Sequence, residues 1–188
     1  MRRLVAGSQV CALCLVLVTA LPVVAELRIG DLDIFLNDHD VTVRVVLVGA
    51  IPVAFSEGLH SGIAAHARFT VELWRYSRLW PDRLVMSKSV ERNLTYNVVT
   101  KEYRVSSVKG ETRPAYVTRE LRDAQRVLSE LGHLKLMPAS SLDPDDVFYV
   151  RVRADASLNG ENTFLTRMAG TAEQTLRQSD YYTLARIQ

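Results

Sequence analysis

Beyond its first 25 residues the chain holds no cysteine, since Cys11 and Cys14 both lie in the apolar opening segment. Removal of that segment takes disulfide and thiol chemistry with it, and the C-x-x-C spacing loses the redox or metal meaning it has in a cytosolic domain. A strong charge of one sign is also missing. The 23 Lys and Arg residues face 21 Asp and Glu, a formal net charge of +2, so the whole chain offers a polyanion no strong field and a nucleic-acid role is disfavoured. After Ala25 no apolar run is long enough to cross a bilayer. No internal repeat of about 20 to 50 residues occurs, and no stretch is low in complexity. The full chain of 188 residues is 48% hydrophobic and 23% charged, a composition that favours a packed core over disorder.

The N-terminus reads as an address. Met1-Arg2-Arg3 is basic, Leu4 to Val24 is mostly apolar, and Val23 and Ala25 stand at minus three and minus one of a cleavage site before Glu26, the first acidic residue. These are the parts of a secretory signal peptide over residues 1–25. Retention as an N-terminal anchor is the alternative, because Leu4 to Ala25 has the roughly 20 residues that a spanning helix needs. Arg2-Arg3 lacks the flanking residues of a twin-arginine signal, and neither cysteine follows a lipoprotein-type tripeptide. Cleavage removes two of the 23 basic residues and no acid, leaving 21 of each and no formal charge. The expected product is one periplasmic or secreted domain over residues 26–188, touching the membrane only through an uncleaved leader.

Within that domain most segments alternate in the manner of half-buried strands. Val41, Val43, Val45 and Leu47 alternate with Thr42, Arg44 and Val46; Ala67, Phe69, Val71 and Leu73 alternate with His66, Arg68, Thr70 and Glu72. Leu94, Tyr96 and Val98 continue the period, as do Tyr103 and Val105, and then Phe148, Val150 and Val152. Such alternation belongs to antiparallel sheets with one wet face. Pro52 to Gly62 reads as a short helix with Phe55 and Leu59 on one side. Thr118 to Leu131 reads as a longer one, capped by Thr118, with Leu121, Ala124, Leu128 and Leu131 on one face and Gly132 as its stop. Its charged side, Arg119, Arg122, Asp123, Arg126 and Glu130, is a solvated face. Turn signals fall at Asn37-Asp38, Trp80-Pro81-Asp82, Lys109-Gly110, Leu142 to Asp145 and Asn159-Gly160. The expected fold is mainly β and sandwich-like, with antiparallel sheets, about seven or eight strands and two connecting helices. An α+β arrangement is the alternative. Towards the C-terminus Phe164 and Met168 suggest a helical turn, and Tyr181 to Ile187 a closing strand.

The order of several short motifs resembles a known family. Pro52-Val53-Ala54-Phe55-Ser56-Glu57-Gly58-Leu59 is followed by Glu72-Leu73-Trp74-Arg75, Trp80-Pro81-Asp82, Leu94-Thr95-Tyr96-Asn97, Lys101-Glu102-Tyr103-Arg104-Val105 and Tyr149-Val150-Arg151-Val152-Arg153. This series is similar to the bacterial envelope proteins grouped as domain of unknown function 4390, over about residues 28–155. The resemblance implies a signal-bearing bacterial protein with a mainly β domain, and it carries over no site residue.

Catalytic patterns are sparse. Gly58-Leu59-His60-Ser61-Gly62 puts the serine one place too late for G-x-S-x-G and inside a predicted helix, so it reads as an ordinary helix end. His39, His60, His66 and His133 show no H-x-x-x-H spacing, and no metal is expected; His60 and His66 are the pair that a helix-to-strand turn brings nearest. Asp31, Asp33, Asp38 and Asp40 cluster without the spacing of a calcium loop, and Asp31 and Asp33 fit the wet side of a strand. No catalytic residue and no cofactor is assigned. The outward face of the strand from His66 to Tyr76 is more suggestive. With Phe69, Val71 and Leu73 inward, Arg68, Thr70, Glu72, Trp74 and Tyr76 share the other side, near Arg78, Trp80 and Arg83. Aromatics beside basic groups stack a sugar or peptide and pair with an anion. Arg68, Trp74, Tyr76, Arg78, Trp80 and Arg83 are therefore the expected binding residues, unless Trp74 and Tyr76 are covered by another element. The expected role is a non-catalytic binding or accessory module for an envelope or inner-membrane protein, a glycan or an anionic lipid. The alternative is an envelope hydrolase or lyase using carboxylates or His60 and His66.

Overall fold

Alternation along Asp40–Val48 buries Val41, Val43, Val45 and Leu47 on one side of the strand. It is one of nine strands in the computed structural model, which describes residues 26–37, 39–160 and 162–183. Residues 1–25, where the sequence predicts a leader and where Cys11 and Cys14 fall, lie outside the described residues. Strands β1 (Arg28–Asn37), β2 (Asp40–Val48) and β7 (Glu130–Pro138) form a three-stranded sheet in the order β1-β2-β7. Strands β3 (Ala65–Arg75), β4 (Arg83–Asn97), β5 (Glu102–Lys109), β6 (Tyr116–Thr118), β8 (Phe148–Leu158) and β9 (Ala172–Gln178) form a six-stranded sheet in the order β6-β5-β4-β3-β8-β9. Every named pairing is antiparallel. Helices α1 (Val53–His60), α2 (Leu121–Ser129) and α3 (Phe164–Met168) connect them.

One apolar cluster joins the two sheets. Val43 and Val45 come from the first, Phe69, Val71, Val152 and Ala154 from the second, and Phe55, Leu59, Ala124 and Leu128 from α1 and α2. The fold is therefore mainly β, with two antiparallel sheets and helices at their ends, as the alternation predicts. The first and last strands are also fastened together. Leu27 N donates to the Glu173 carboxylate at 2.7 Å, and the Arg177 guanidinium donates to the carbonyls of Ile29, at 3.2 Å, and Gly30. The β1 register slips between Ile29 and Asp31, an irregularity of the kind that turns carbonyls out of the ladder.

Several expectations from the sequence need correction. The longer helix begins at Leu121, with Glu120 and not Thr118 at its N-cap; Thr118 Oγ1 instead accepts from Glu120 N at 3.1 Å. It ends at Ser129, and Gly132 does not stop it: Leu131 and Gly132 belong to β7. Leu131 still reaches the core, so the helical spacing continued by coincidence into a strand. Val98 is not in a strand but in the exposed β4–β5 turn, where Asn97 Oδ1 accepts from Val99 N and Thr100 N. The closing strand is β9, earlier than Tyr181; Tyr182 makes only an isolated bridge to Phe148, and residues 184–188 lie outside the described residues.

A buried cation marks the junction of α2 with the larger sheet. Arg92 stands on the inward side of β4 between Val90 and Leu94 and is only 2% exposed. Its Nε and Nη2 donate to the two Glu111 oxygens at 2.5 and 2.8 Å, and Nη1 donates to the carbonyls of Val127 and Glu130 at 2.8 and 2.7 Å. The planar guanidinium thus meets a carboxylate two-pronged and satisfies carbonyls at the helix C-terminus, where positive charge is favoured.

Candidate functional site

The β3–β4 connection is a hydrogen-bonded tip that presents two large apolar side chains. Pro81 and the turn residues around it let the chain reverse between Arg75 and Arg83. Ser77 N donates to Asp82 Oδ1 at 3.0 Å, and Trp80 N donates to Ser77 Oγ at 3.2 Å. These bonds fix the loop while leaving Leu79 86% and Trp80 78% exposed. Arg78 and Arg83 are exposed on either side. Two adjacent large apolar side chains are thus held out into water by a hydrogen-bonded loop.

Behind the tip lies an aromatic cluster on the outward side of the six-stranded sheet. The register sets Trp74 opposite Tyr149. Their rings are nearly parallel, at 7° and 6.4 Å between centroids, and the Arg151 guanidinium lies over Trp74 at 4.8 Å. Trp74 Nε1 donates to Glu72 Oε2 at 2.9 Å. Tyr181, from the segment after β9, packs edge-on against both Tyr76 and Tyr149. Tyr149 is 1% exposed and donates from its hydroxyl to Asp82 Oδ2 at 2.8 Å. Burial and this hydrogen bond push its phenol up to about 12, so it remains a donor at any physiological pH. Asp82 consequently ties the tip to the sheet with both of its oxygens.

The six expected residues therefore occupy three settings. Arg78, Trp80 and Arg83 belong to the tip; Trp74 and Tyr76 belong to the cluster behind it, with Trp74 half-buried beneath Arg151 and Tyr76 exposed. Arg68 lies towards the other end of β3, where it donates from Nε and Nη2 to Glu91 Oε2 at 3.3 and 3.1 Å. Tyr149, Arg151, Tyr181 and the bridging role of Asp82 were missed from sequence. Arg151 was visible as a polar member of the β8 alternation, but its place over Trp74 depends on a register that the sequence does not print.

The histidines do not form a common centre. His60 Nε2 is 2.8 Å from the Tyr103 hydroxyl, and its ring meets Tyr96 edge-on. Burial and the neighbouring Tyr96 and Glu120 push the Tyr103 phenol up. His66, on β3, pairs with Asn93 of β4 and Ser157 of β8, and a Cβ at Gly160 would come within 3.3 Å of its ring. Burial holds its imidazole below the usual histidine range. Asp31 and Asp33 are exposed on β1. No group of three or more His, Cys, Asp or Glu among the described residues has metal-binding geometry. No helix among them is long and apolar enough to cross a membrane.

No curated protein and no solved structure matches this chain. The family described as "Domain of unknown function (DUF4390)" matches residues 24–183. That span passes well beyond residue 155, through α3 and β9 and up to the segment carrying Tyr181. By this match over most of its length, the chain belongs to the DUF4390 family.

Proposed function

We propose that this protein is a non-catalytic binding or accessory module of the bacterial cell envelope, and that it grips a protein partner by the β3–β4 tip. The observation that carries the reading is the exposure of Leu79 and Trp80 on a loop whose own hydrogen bonds already hold it in shape. A preordered loop loses little entropy on docking, so apolar area at its tip is used efficiently. Arg78 and Arg83 suit a partner whose apolar pocket has an acidic rim, and they guide encounter and register more than they add affinity. Export rests on the leader pattern of residues 1–25.

The test is crosslinking in the native envelope followed by purification of the full chain, with a Leu79→Ser, Trp80→Ala variant beside it. A partner recovered with the parent chain and lost with the variant supports the reading. Equal recovery overturns the tip as the contact, and retention of the parent chain on lipid vesicles without any protein partner replaces the protein with a bilayer surface.

A further inference from the structure

A second feature of the larger sheet lies away from the tip. Arg68 and Thr70 of β3, Arg153 and Asp155 of β8, Gln174 of β9, Arg167 of α3 and Asn162 before it line a concavity of about 340 Å³. Two cross-strand rows build its floor: Arg68, Asp155 and Gln174 in one, Thr70 and Arg153 in the next. Three guanidiniums thus converge from three elements on one hollow.

Ion pairing offsets their charges in part: Arg68 meets Glu91 at 3.1 Å and Arg153 meets Glu72 loosely at 3.9 Å, while Arg167 has no acidic partner among the described residues. Asp155 Oδ1 accepts from Asn162 Nδ2 at 3.0 Å and from Gln174 Nε2 at 2.6 Å, neutral amides that orient this carboxylate and leave its charge in the lining. Arg167 is held by neutral acceptors alone, with Nη1 on Gln174 Oε1 at 3.2 Å and Nε on Thr163 O at 3.4 Å. Arg153 approaches Glu72 only at 3.9 Å, beyond hydrogen-bond reach. Arg68 uses one Glu91 oxygen and keeps its other amine free. The amide contacts fix the hollow's shape, and the guanidiniums retain donors to spend on a ligand.

We propose that this hollow is a binding site for a phosphate monoester, such as a sugar phosphate. The dianionic group matches two guanidiniums that lack a hydrogen-bonded carboxylate, its three terminal oxygens suit donors arriving from several sides, and Arg supplies the forked geometry that phosphate takes. The Thr70 hydroxyl lies in the same floor for the rest of the ligand. The site stands apart from the tip and does not depend on a protein partner.

The experiment is titration of the full chain with inorganic phosphate, glucose 6-phosphate and vesicles containing phosphatidic acid, followed by calorimetry and amide NMR shifts. Expected is saturable binding of the soluble phosphates, with shifts centred on residues 68, 70, 153, 167 and 174. Arg153→Gln and Arg167→Gln should each weaken it by about tenfold, whereas Arg122→Gln, the same charge change on the exposed side of α2, leaves it unchanged. Binding to the vesicles alone would assign the phosphate to a lipid headgroup and overturn the soluble ligand. Absence of binding, shifts elsewhere, or equal weakening by Arg122→Gln overturns the site. The shift map of the parent chain decides the question even if a variant fails to fold.

Discussion

At the scale of single residues, Asp82 and Tyr149 show how a surface loop is held by the sheet beneath it. A hydrogen bond from a phenol to a carboxylate contributes about 1.5–3 kcal/mol, and here it links a buried ring to a residue of the tip. Tyr149→Phe is expected to lower stability by about that amount, read as a shift in the urea midpoint, and to speed proteolysis between residues 76 and 82. An unchanged midpoint with unchanged cleavage would show that Ser77 alone holds the loop. His66 sets a pH dependence of known sign. Its ordinary value is 6.5 and burial lowers it in the folded chain, with Arg68 acting the same way and Glu91 and Asn93 opposing. The unfolded chain therefore takes up the proton first. This contribution to stability is complete above pH 6.5, declines as pH falls through the folded value, and is flat below it. Urea midpoints measured from about pH 7.5 to about pH 5 should fall more steeply in the parent chain than in His66→Gln; parallel curves would remove His66 as the cause.

At the scale of elements, Arg92 joins β4, α2 and the Glu111 segment. Truncating one member of a buried ion pair costs about 3–5 kcal/mol, and Arg92→Ala is expected to fall in that range by chemical denaturation. Arg92→Lys should recover only part of the loss, because an ammonium cannot bond both Glu111 oxygens and two carbonyls in one plane. A wild-type midpoint for Arg92→Ala would mean that the junction is not structural. Gly110 closes the β5 end at a φ of +85, and a Cβ there would stand 2.0 Å from the Ser89 carbonyl oxygen. Gly110→Ala should therefore cost more than about 1 kcal/mol. Strands β2, β3 and β8 were legible because their inward positions are apolar without interruption, and α1 because Phe55 and Leu59 both reach the core. Most of β4 was hidden by Lys88 and Arg92, cations on its inward side that break the alternation, the first bonding the Lys135 carbonyl at an exposed position and the second the carbonyls at the end of α2. β7 was hidden by a register shift around Gly132 and His133, where the period of two is lost. Of the site, the exposed Trp80 and its flanking arginines could be read from the turn; the gathering of Arg68 with Arg153 and Arg167 could not, since it needs the β3–β8 register and the position of α3.

At the scale of the whole molecule, one apolar cluster takes residues from both sheets, with α1 and α2 closing on it. Neither sheet buries its inward side without the other, so both are expected to melt together. Near-ultraviolet circular dichroism, far-ultraviolet circular dichroism and tryptophan fluorescence should report one coincident transition. Separate midpoints would divide the chain into two folding units. The bonds of Leu27 and Arg177 acquire a further meaning at this scale. β1 and β9 each have a ladder partner on one side only, and strands in that position recruit other chains unless something blocks them. Glu173 and Arg177 spend their charged groups on the backbone of the opposite border, which clasps the open seam of the sandwich shut. Trimming the chain to begin at residue 31 would undo the clasp, and the shortened protein should assemble with itself as its concentration rises.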